Sequence, residues 1–307
     1  MNAANADNVL RIGTRRSLLA KSQTNWVIGE LSRLHPQLKI EIVEVVTIGD
    51  KILDTALSKV PGKGVFVKEI EDKLLSGEID LAVHSMKDLP TEFTDGLKIG
   101  AIPERVDPRD VFISPHDTHL DELPDGAKIG TSSLRRQAQL LKFRSDFKMV
   151  DIRGNIDTRL RKAGSEEYDG IILAAAGLVR LGWEDQIKEY LSCDVMIPAV
   201  GQGALGLEIR AEDERTQKLI SHLNHSATEI CVRAERTFLA DMGGGCQTPM
   251  AAFCRERGGE IVFQAFEACE DGSNHRKMRR EGSIDQAFLF AEEAVRQLRP
   301  AAKDAGA

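Results

Sequence analysis

The sequence predicts an α/β protein built from two units in which short aliphatic strands alternate with amphipathic helices, followed by a smaller α+β unit. Three observations carry this. Strand and helix patterns alternate over the first two-thirds of the chain. The alternation begins again at Lys128, after a Pro-rich charged stretch. In the last third, strands bunch together between two helices.

Taken in order, Val9 to Gly13 reads as a strand, and Ser17 to Leu34 as a helix with apolar residues at helical spacing. Ile40 to Thr47 is a strand rich in Val and Ile, Val65 to Leu75 a helix, and Asp80 to His84 a buried strand. Ile99 to Ile102 and Val111 to Ser114 are further short strands. The second cycle runs Lys128 to Gly130 (strand), Ser132 to Phe143 (helix), Met149 to Ile152 (strand), Ile156 to Ala163 (helix), Gly170 to Ala174 (strand) and Ala175 to Leu181 (helix). This order predicts mostly parallel sheets covered on both faces. Residues 103–109 are the expected crossover between the units, and 198–203 the expected return. Thr228 to Met242 then reads as a helix, Met250 to Cys254, Ile261 to Glu267 and Lys277 to Gly282 as strands, and Asp285 to Leu298 as a closing helix.

A chain of 307 residues can bury a sizeable core, and with 5% aromatics that core is expected to be aliphatic. A net charge of -7 argues against a nucleic-acid partner, which needs a basic footprint. No run of about 18 apolar residues occurs, so no membrane span is expected. The start, MNAANADNVL, shows no basic stretch leading into an apolar one, so no export signal is expected. Five cysteines in a chain of this size read as reduced thiols in a cytoplasmic protein.

Three strand-to-helix turns share one design: residues 13–17, 84–88 and 130–136. Such turns lie at the carboxyl ends of strands, where α/β sheets bind ligands. Helix starts offer free N–H groups, Ser and Thr add hydroxyls, and Arg adds a planar fork suited to carboxylates. Any one of these turns is equally a plain helix cap; three in one chain, each with an adjacent Arg or Lys, point to a cleft for a polyanion. Arg153, Arg159 and Arg180 extend the basic set, and Asp88 is an acid within it. Cys246 follows three glycines, which let backbone approach a ligand closely, and it is the expected nucleophile or attachment point. Cys193, Cys231, Cys254 and Cys269 read as small apolar residues. No metal-ligand spacing, dinucleotide fingerprint or P-loop appears.

Together these segments resemble the porphobilinogen deaminase family. The strings that carry the resemblance are RIGTRRSLLA (11–20), GDKILD (49–54), GKGVFVKE (62–69), DLAVHSMKDLP (80–90), ERVDPRDVF (104–112), IGTSSLRRQ (129–137), RGNIDTRL (153–160), DGIILAAAGLVRLG (169–182), IPAVGQGALGLE (197–208) and GGGCQTP (243–249), in order along the chain. Beyond Met250 the match is only one of general character.

The resemblance implies two α/β domains of the periplasmic-binding-protein type with a double crossover, plus a small C-terminal α+β domain. The divisions would be 1–103 with 204–221, 104–203, and 222–307. It implies a transferase of porphyrin and haem biosynthesis, a hydroxymethylbilane synthase, that joins four porphobilinogens and releases ammonia at each addition. The growing chain would be built on a dipyrromethane cofactor attached through Cys246. Asp88 would be the catalytic carboxylate. Ser85, Lys87, Asp88, Thr131, Ser133, Arg135, Arg136, Arg153 and Gly177 would contact the cofactor. Arg15, Ser17, Arg153, Arg159 and Arg180 would hold substrate, and Lys59 and Lys63 would belong to a mobile loop. The family resemblance also favours a monomer. The alternative reading is a non-catalytic anion-binding protein of the periplasmic-binding type, which would account for the two lobes and basic turns but not for Cys246 or Asp88.

Overall fold

The computed structural model describes residues 8–51, 67–244, 248–269 and 272–299. The chain opens with β1 (Val9–Arg15), α1 (Leu18–Leu34), β2 (Lys39–Val45), α2 (Ile48–Lys51), α3 (Lys68–Leu75), β3 (Leu81–Ser85) and β4 (Leu97–Ala101). It continues with β5 (Asp110–Ile113), β6 (Lys128–Gly130), α4 (Leu134–Phe143), β7 (Lys148–Val150), α5 (Ile156–Ala163), β8 (Gly170–Ala174), α6 (Ala175–Leu181) and β9 (Glu189–Tyr190). Last come β10 (Leu205–Arg210), α7 (Glu214–Ile220), α8 (Ser226–Asp241), β11 (Met250–Arg257), β12 (Glu260–Glu267), β13 (Arg276–Ser283) and α9 (Ala287–Leu298).

These strands form three sheets, in the orders β2-β1-β3-β10-β4, β7-β6-β8-β5-β9 and β11-β12-β13. In the first, Leu10, Ile12, Leu81, Val83, Leu207 and Ile209 pack against Val27 and Leu31 of α1. The opposite face puts Val45 and Ala82 against Ile70 and Leu74 of α3. The second sheet is likewise covered on both faces, with Leu140 of α4 in one core cluster and Leu178 of α6 in the other. The third sheet is an antiparallel meander. One face buries Ala252, Cys254, Phe263 and Ala265 against α8 and α9. The other places Ala251, Phe253 and Phe266 against Ala138 and Ile197 of the second unit.

The first two sheets are evenly mixed rather than mostly parallel. β1 pairs parallel with β2 and β3, but β10 runs antiparallel to β3 and β4. In the second sheet β6 is parallel to β7 and β8, while β5 is antiparallel to β8 and β9. The cause is the crossover. Strand β3 ends at Ser85, which pairs with Leu205 at the start of β10, and β4 ends at Ala101 beside Leu207, so the linkers leave and return at that one end of the sheet. A strand entered directly from a linker, without a covering helix, must run the other way. β10 begins two residues after the linker glycine Gly203, and this strand was absent from the sequence reading, as were α2, β9 and α7.

The two linkers are tied together and to the third sheet. Val106 N–H donates to Gly203 O (3.3 Å), and Gln202 Nε2 to Pro108 O (2.7 Å). Gly203 has φ +87°, and a Cβ there would lie 2.6 Å from Val106 O, so the close approach of the linkers needs glycine. Glu235 of α8, fully buried, accepts from Gly201 N (2.7 Å) and Cys254 N (2.8 Å) and pairs with Arg105 (2.9 Å).

Candidate active site

Several side chains singled out in the sequence stand at strand ends and helix starts of the two mixed sheets, and Lys87, Asp88, Arg135, Arg136, Arg153 and Arg159 among them lie near enough to act on one another's charge. Arg15 ends β1 and pairs with Asp50 at 2.5 Å; Asp50 in turn accepts from Thr47 N and Oγ1. Burial works to raise the Asp50 pKa, but the Arg15 guanidinium and Thr47 outweigh it and hold the carboxyl below its ordinary value. Ser17 caps α1, its Oγ accepting from Ala20 N at 3.3 Å. Ser85 ends β3, and its Oγ accepts from Gln23 Nε2 of α1 (2.9 Å).

Residues Met86 to Asp88 form a single 3₁₀ turn. Met86 is buried as its anchor, Lys87 is half-buried and Asp88 is exposed. Burial pushes the Lys87 pKa down; Asp88 opposes that shift, and Arg136 and Arg135 add to it. On the facing unit, burial lowers Arg159 to about 10, with the Arg136 and Arg153 charges pushing the same way and Asp88 opposing. Asp88 thus acts on both Lys87 and Arg159, and the buried Asp110 is a second negative charge acting on Lys87. Arg159 Nε donates to Gly154 O at 2.8 Å.

Thr131 is buried, and its Oγ1 accepts from Ser133 N (3.3 Å). Ser133 stands at the N-cap of α4 without a side-chain capping bond. Arg135 and Arg136 are both buried on one carboxylate: Arg135 meets Asp110 Oδ2 at 2.8 Å, and Arg136 reaches Oδ1 through Nε (3.1 Å) and Nη2 (2.7 Å). Further donors go to Ile197 O and Ile172 O. Burial alone would raise the Asp110 pKa, but the two guanidiniums outweigh it and hold it down to about 2.

Arg180 ends α6. Its Nη2 donates to Gly203 O (2.9 Å) and burial lowers it to about 10, while Ser22 of α1 donates to its carbonyl. Gly177 is buried between Ile156 and Leu19; a Cβ would sit 2.8 Å from Ile156 Cδ1. It lets α6 pack closely on α5, while Leu19 of α1 stays at ordinary contact distance, 3.7 Å from that Cβ. Cys246, Lys59 and Lys63 lie outside the described residues. Among the described residues no group of His, Cys, Asp and Glu could hold a metal ion, and no helix is long and apolar enough to cross a membrane.

Sequence reading missed the residues that organise this cationic set. Asp110 and Gln202 share a hydrogen bond at 3.0 Å beneath the arginines. A signal for Asp110 existed: an acid opening the apolar strand Val111-Phe112-Ile113 must be buried, and a buried carboxylate needs a cation. Gln23, Asp50 and Arg236 gave no comparable signal.

Two family models match. One, described as the porphobilinogen deaminase dipyromethane cofactor binding domain, covers residues 10–218, and the other, the C-terminal domain of porphobilinogen deaminase, covers 229–299. A porphobilinogen deaminase of Geobacter sulfurreducens is 54% identical over 277 residues, covering 90% of this chain and 87% of the relative. One of Geobacillus kaustophilus is 54% identical over 277 residues, covering 90% of each. Among solved structures, a methionine-binding protein aligns over 70% of this chain and 89% of its own, at 13% identity and a TM-score of 0.43. With both models in register along the chain and relatives this similar over nearly their whole length, the chain belongs to the porphobilinogen deaminase family.

Proposed function

We propose that this chain is a hydroxymethylbilane synthase, joining four porphobilinogens head to tail with release of ammonia. The observation that carries the reading is the setting of Asp88: one exposed carboxylate acting on Lys87 and Arg159, with Arg136 and Arg153 close behind. Each pyrrole brings two carboxylates, so both substrate and product are polyanions. The depressed Lys87 and Arg159 mark positive charge crowded and withdrawn from water, Arg180 marks one withdrawn from water by burial, and carboxylates would relieve each. The donor set therefore fits a dipyrromethane, and we assign its acetate and propionate groups to Ser85, Lys87, Thr131, Ser133, Arg135, Arg136 and Arg153, alongside Gly177. When bound, that group would supply the pyrrole α-carbon, giving up its proton, to which the first new unit is joined. We assign its attachment to Cys246.

Arg15, Ser17, Arg153, Arg159 and Arg180 are assigned to incoming substrate. Their task is to hold the substrate carboxylates so that its aminomethyl group lies beside Asp88. The amine leaves as ammonia once protonated, taking the electron pair of its carbon–nitrogen bond and leaving a cationic methylene-pyrrole. The positive charge moves from the ammonium to the methylene-pyrrole as the bond breaks, and Asp88 lowers the barrier to the extent that its carboxylate lies nearer that carbon and ring nitrogen than the departing nitrogen. The surrounding cations hold the carboxylates away from Asp88 and keep the charges sorted. We assign Lys59 and Lys63 to a loop over this cleft.

We further propose a monomer with domains at 1–103 with 204–221, 104–203 and 222–307, which agrees with β10 joining the first sheet. A cytoplasmic location accords with the four described cysteines all being free thiols. The test is intact mass with turnover. Purified protein should carry the extra mass of a dipyrromethane, lost in Cys246→Ser, and convert porphobilinogen to hydroxymethylbilane. Bare polypeptide mass with no turnover would overturn the reading.

A further inference from the structure

Among the described residues, the buried guanidinium of Arg236 on α8 meets carbonyls and a ring. Its Nη2 donates to Pro90 O (2.5 Å) and Thr91 O (3.3 Å), its Nη1 to Leu89 O (3.4 Å), and it lies over the Phe93 ring at 4.7 Å. Burial lowers it to about 10, with no carboxylate contributing. A cation held this way is costly, because carbonyl dipoles replace water but do not cancel the charge. One helical turn earlier, Val232 is buried in a cluster with Met86 and Leu89. These two residues flank Lys87 and Asp88, and Leu89 N closes the turn onto Met86 O (3.4 Å). The 85–91 segment is therefore held from behind by Val232 and in front of its exit by Arg236, both on one face of α8. The neighbouring Glu235 grips the linkers and β11.

We propose that Arg236 is a positioning residue for Asp88: by holding the carbonyls of residues 89–91 it fixes the 3₁₀ turn and so the carboxylate's place in the cleft. This rests on the reading of Asp88 as the catalytic carboxylate. An acid that must face a developing cation tolerates little displacement, and a shift of about 1 Å costs on the order of a hundredfold in rate.

The test is a double-mutant cycle on cofactor-loaded protein, loading being checked by intact mass, with porphobilinogen as substrate. Arg236→Met should lower kcat by about tenfold or more while moving KM by less than about threefold. Arg236→Lys should recover part of that, since an ammonium can still donate to two of the carbonyls. Because Arg236 acts through Asp88, adding Arg236→Met to Asp88→Asn should cost little beyond Asp88→Asn alone. The residual rate in that background is read by mass from the first enzyme-bound adduct. The proposal is overturned if Arg236→Met keeps its kcat while only its melting temperature falls, or if it costs the same factor with and without the Asp88 carboxylate. Should Arg236→Met fail to load, Arg236→Lys carries the same cycle. Near-normal turnover by Asp88→Asn would instead remove the reading of Asp88, whatever the Arg236 variants do.

Discussion

Arg136 holds a single oxygen of Asp110 with two donors, Nε at 3.1 Å and Nη2 at 2.7 Å, while the adjacent Arg135 meets the other oxygen at 2.8 Å. One fully buried carboxylate thus anchors two guanidiniums that follow each other in the chain. The pair of arginines keeps a net positive charge after that pairing. Each guanidinium also has five N–H donors, more than Asp110 and the carbonyls of Ile172 and Ile197 take up. Asp110 therefore orients the cations without cancelling them.

Replacing Asp110 with Asn should leave two buried like charges facing a neutral amide. Removing one partner of a buried ion pair costs about 3–5 kcal/mol. We expect Asp110→Asn to unfold at markedly lower temperature and to carry less dipyrromethane, as read by thermal denaturation and intact mass. An unchanged melting temperature would show that the arginines do not depend on this carboxylate.

The same pair sets an acid limb on stability. Asp110 titrates near 2 in the fold against an ordinary 3.8. The folded form holds the proton less readily than the unfolded chain, so this stabilisation is complete above the unfolded value. It is lost as pH falls from about 4 toward 2. Asp50, also lowered by Arg15 and Thr47, adds to the same limb. Denaturant unfolding followed between pH 5 and pH 2, as rough limits, should show stability falling with acid. The slope should flatten in Asp110→Asn.

Much of this arrangement was legible in the chain. The helices at Ile156–Ala163 and Ala175–Leu181 and the strands at Lys128–Gly130 and Gly170–Ala174 coincide with the pattern reading, because each is a periodic run bounded by Gly or polar residues. β10 was not seen because Leu205-Gly206-Leu207-Glu208-Ile209 abuts the linker glycines and puts an acid inside the run. That acid is buried: Glu208 meets His84 at 3.0 Å, a pairing between strands about 120 residues apart in the chain, beyond any local pattern. The basic residues of the cleft were legible through their turns. The burial of Asp110 could be inferred from its place at the head of an apolar strand, but its pairing with Arg135, Arg136 and Gln202 could not, because that pairing is a property of the crossover rather than of any segment.

Arg159 and Arg180, each lowered to about 10, predict an alkaline limit on substrate binding. Both are charged at neutral pH and are half deprotonated at about pH 10, well before an ordinary arginine would be. Deprotonation removes the charge that would hold a substrate carboxylate. KM for porphobilinogen should rise above about pH 9.5, with kcat less affected over the same range. Arg159→Lys should move that rise to lower pH, because lysine begins from a lower pKa in the same surroundings. A KM flat across this range would contradict the assignment of both arginines to substrate.

Gly203 tests whether the linkers act as one element. Its φ of +87° disfavours any side chain, and a Cβ would meet Val106 O at 2.6 Å and Asp107 O at 3.3 Å. Neither neighbour is a flexible side-chain end, so the linker itself must shift. The backbone term alone is about 1–3 kcal/mol. The Gly203 carbonyl also accepts from Val106 N and from Arg180 Nη2, so a displaced Gly203 carries with it the guanidinium proposed to hold substrate. Gly203→Ala should therefore lower stability and raise KM together. Gly258→Ala, at a positive-φ turn of the third sheet with open space around it, should lower stability alone. If Gly203→Ala loses stability with KM unchanged, Arg180 is not held in register by the linker, and the return segment is only a connection.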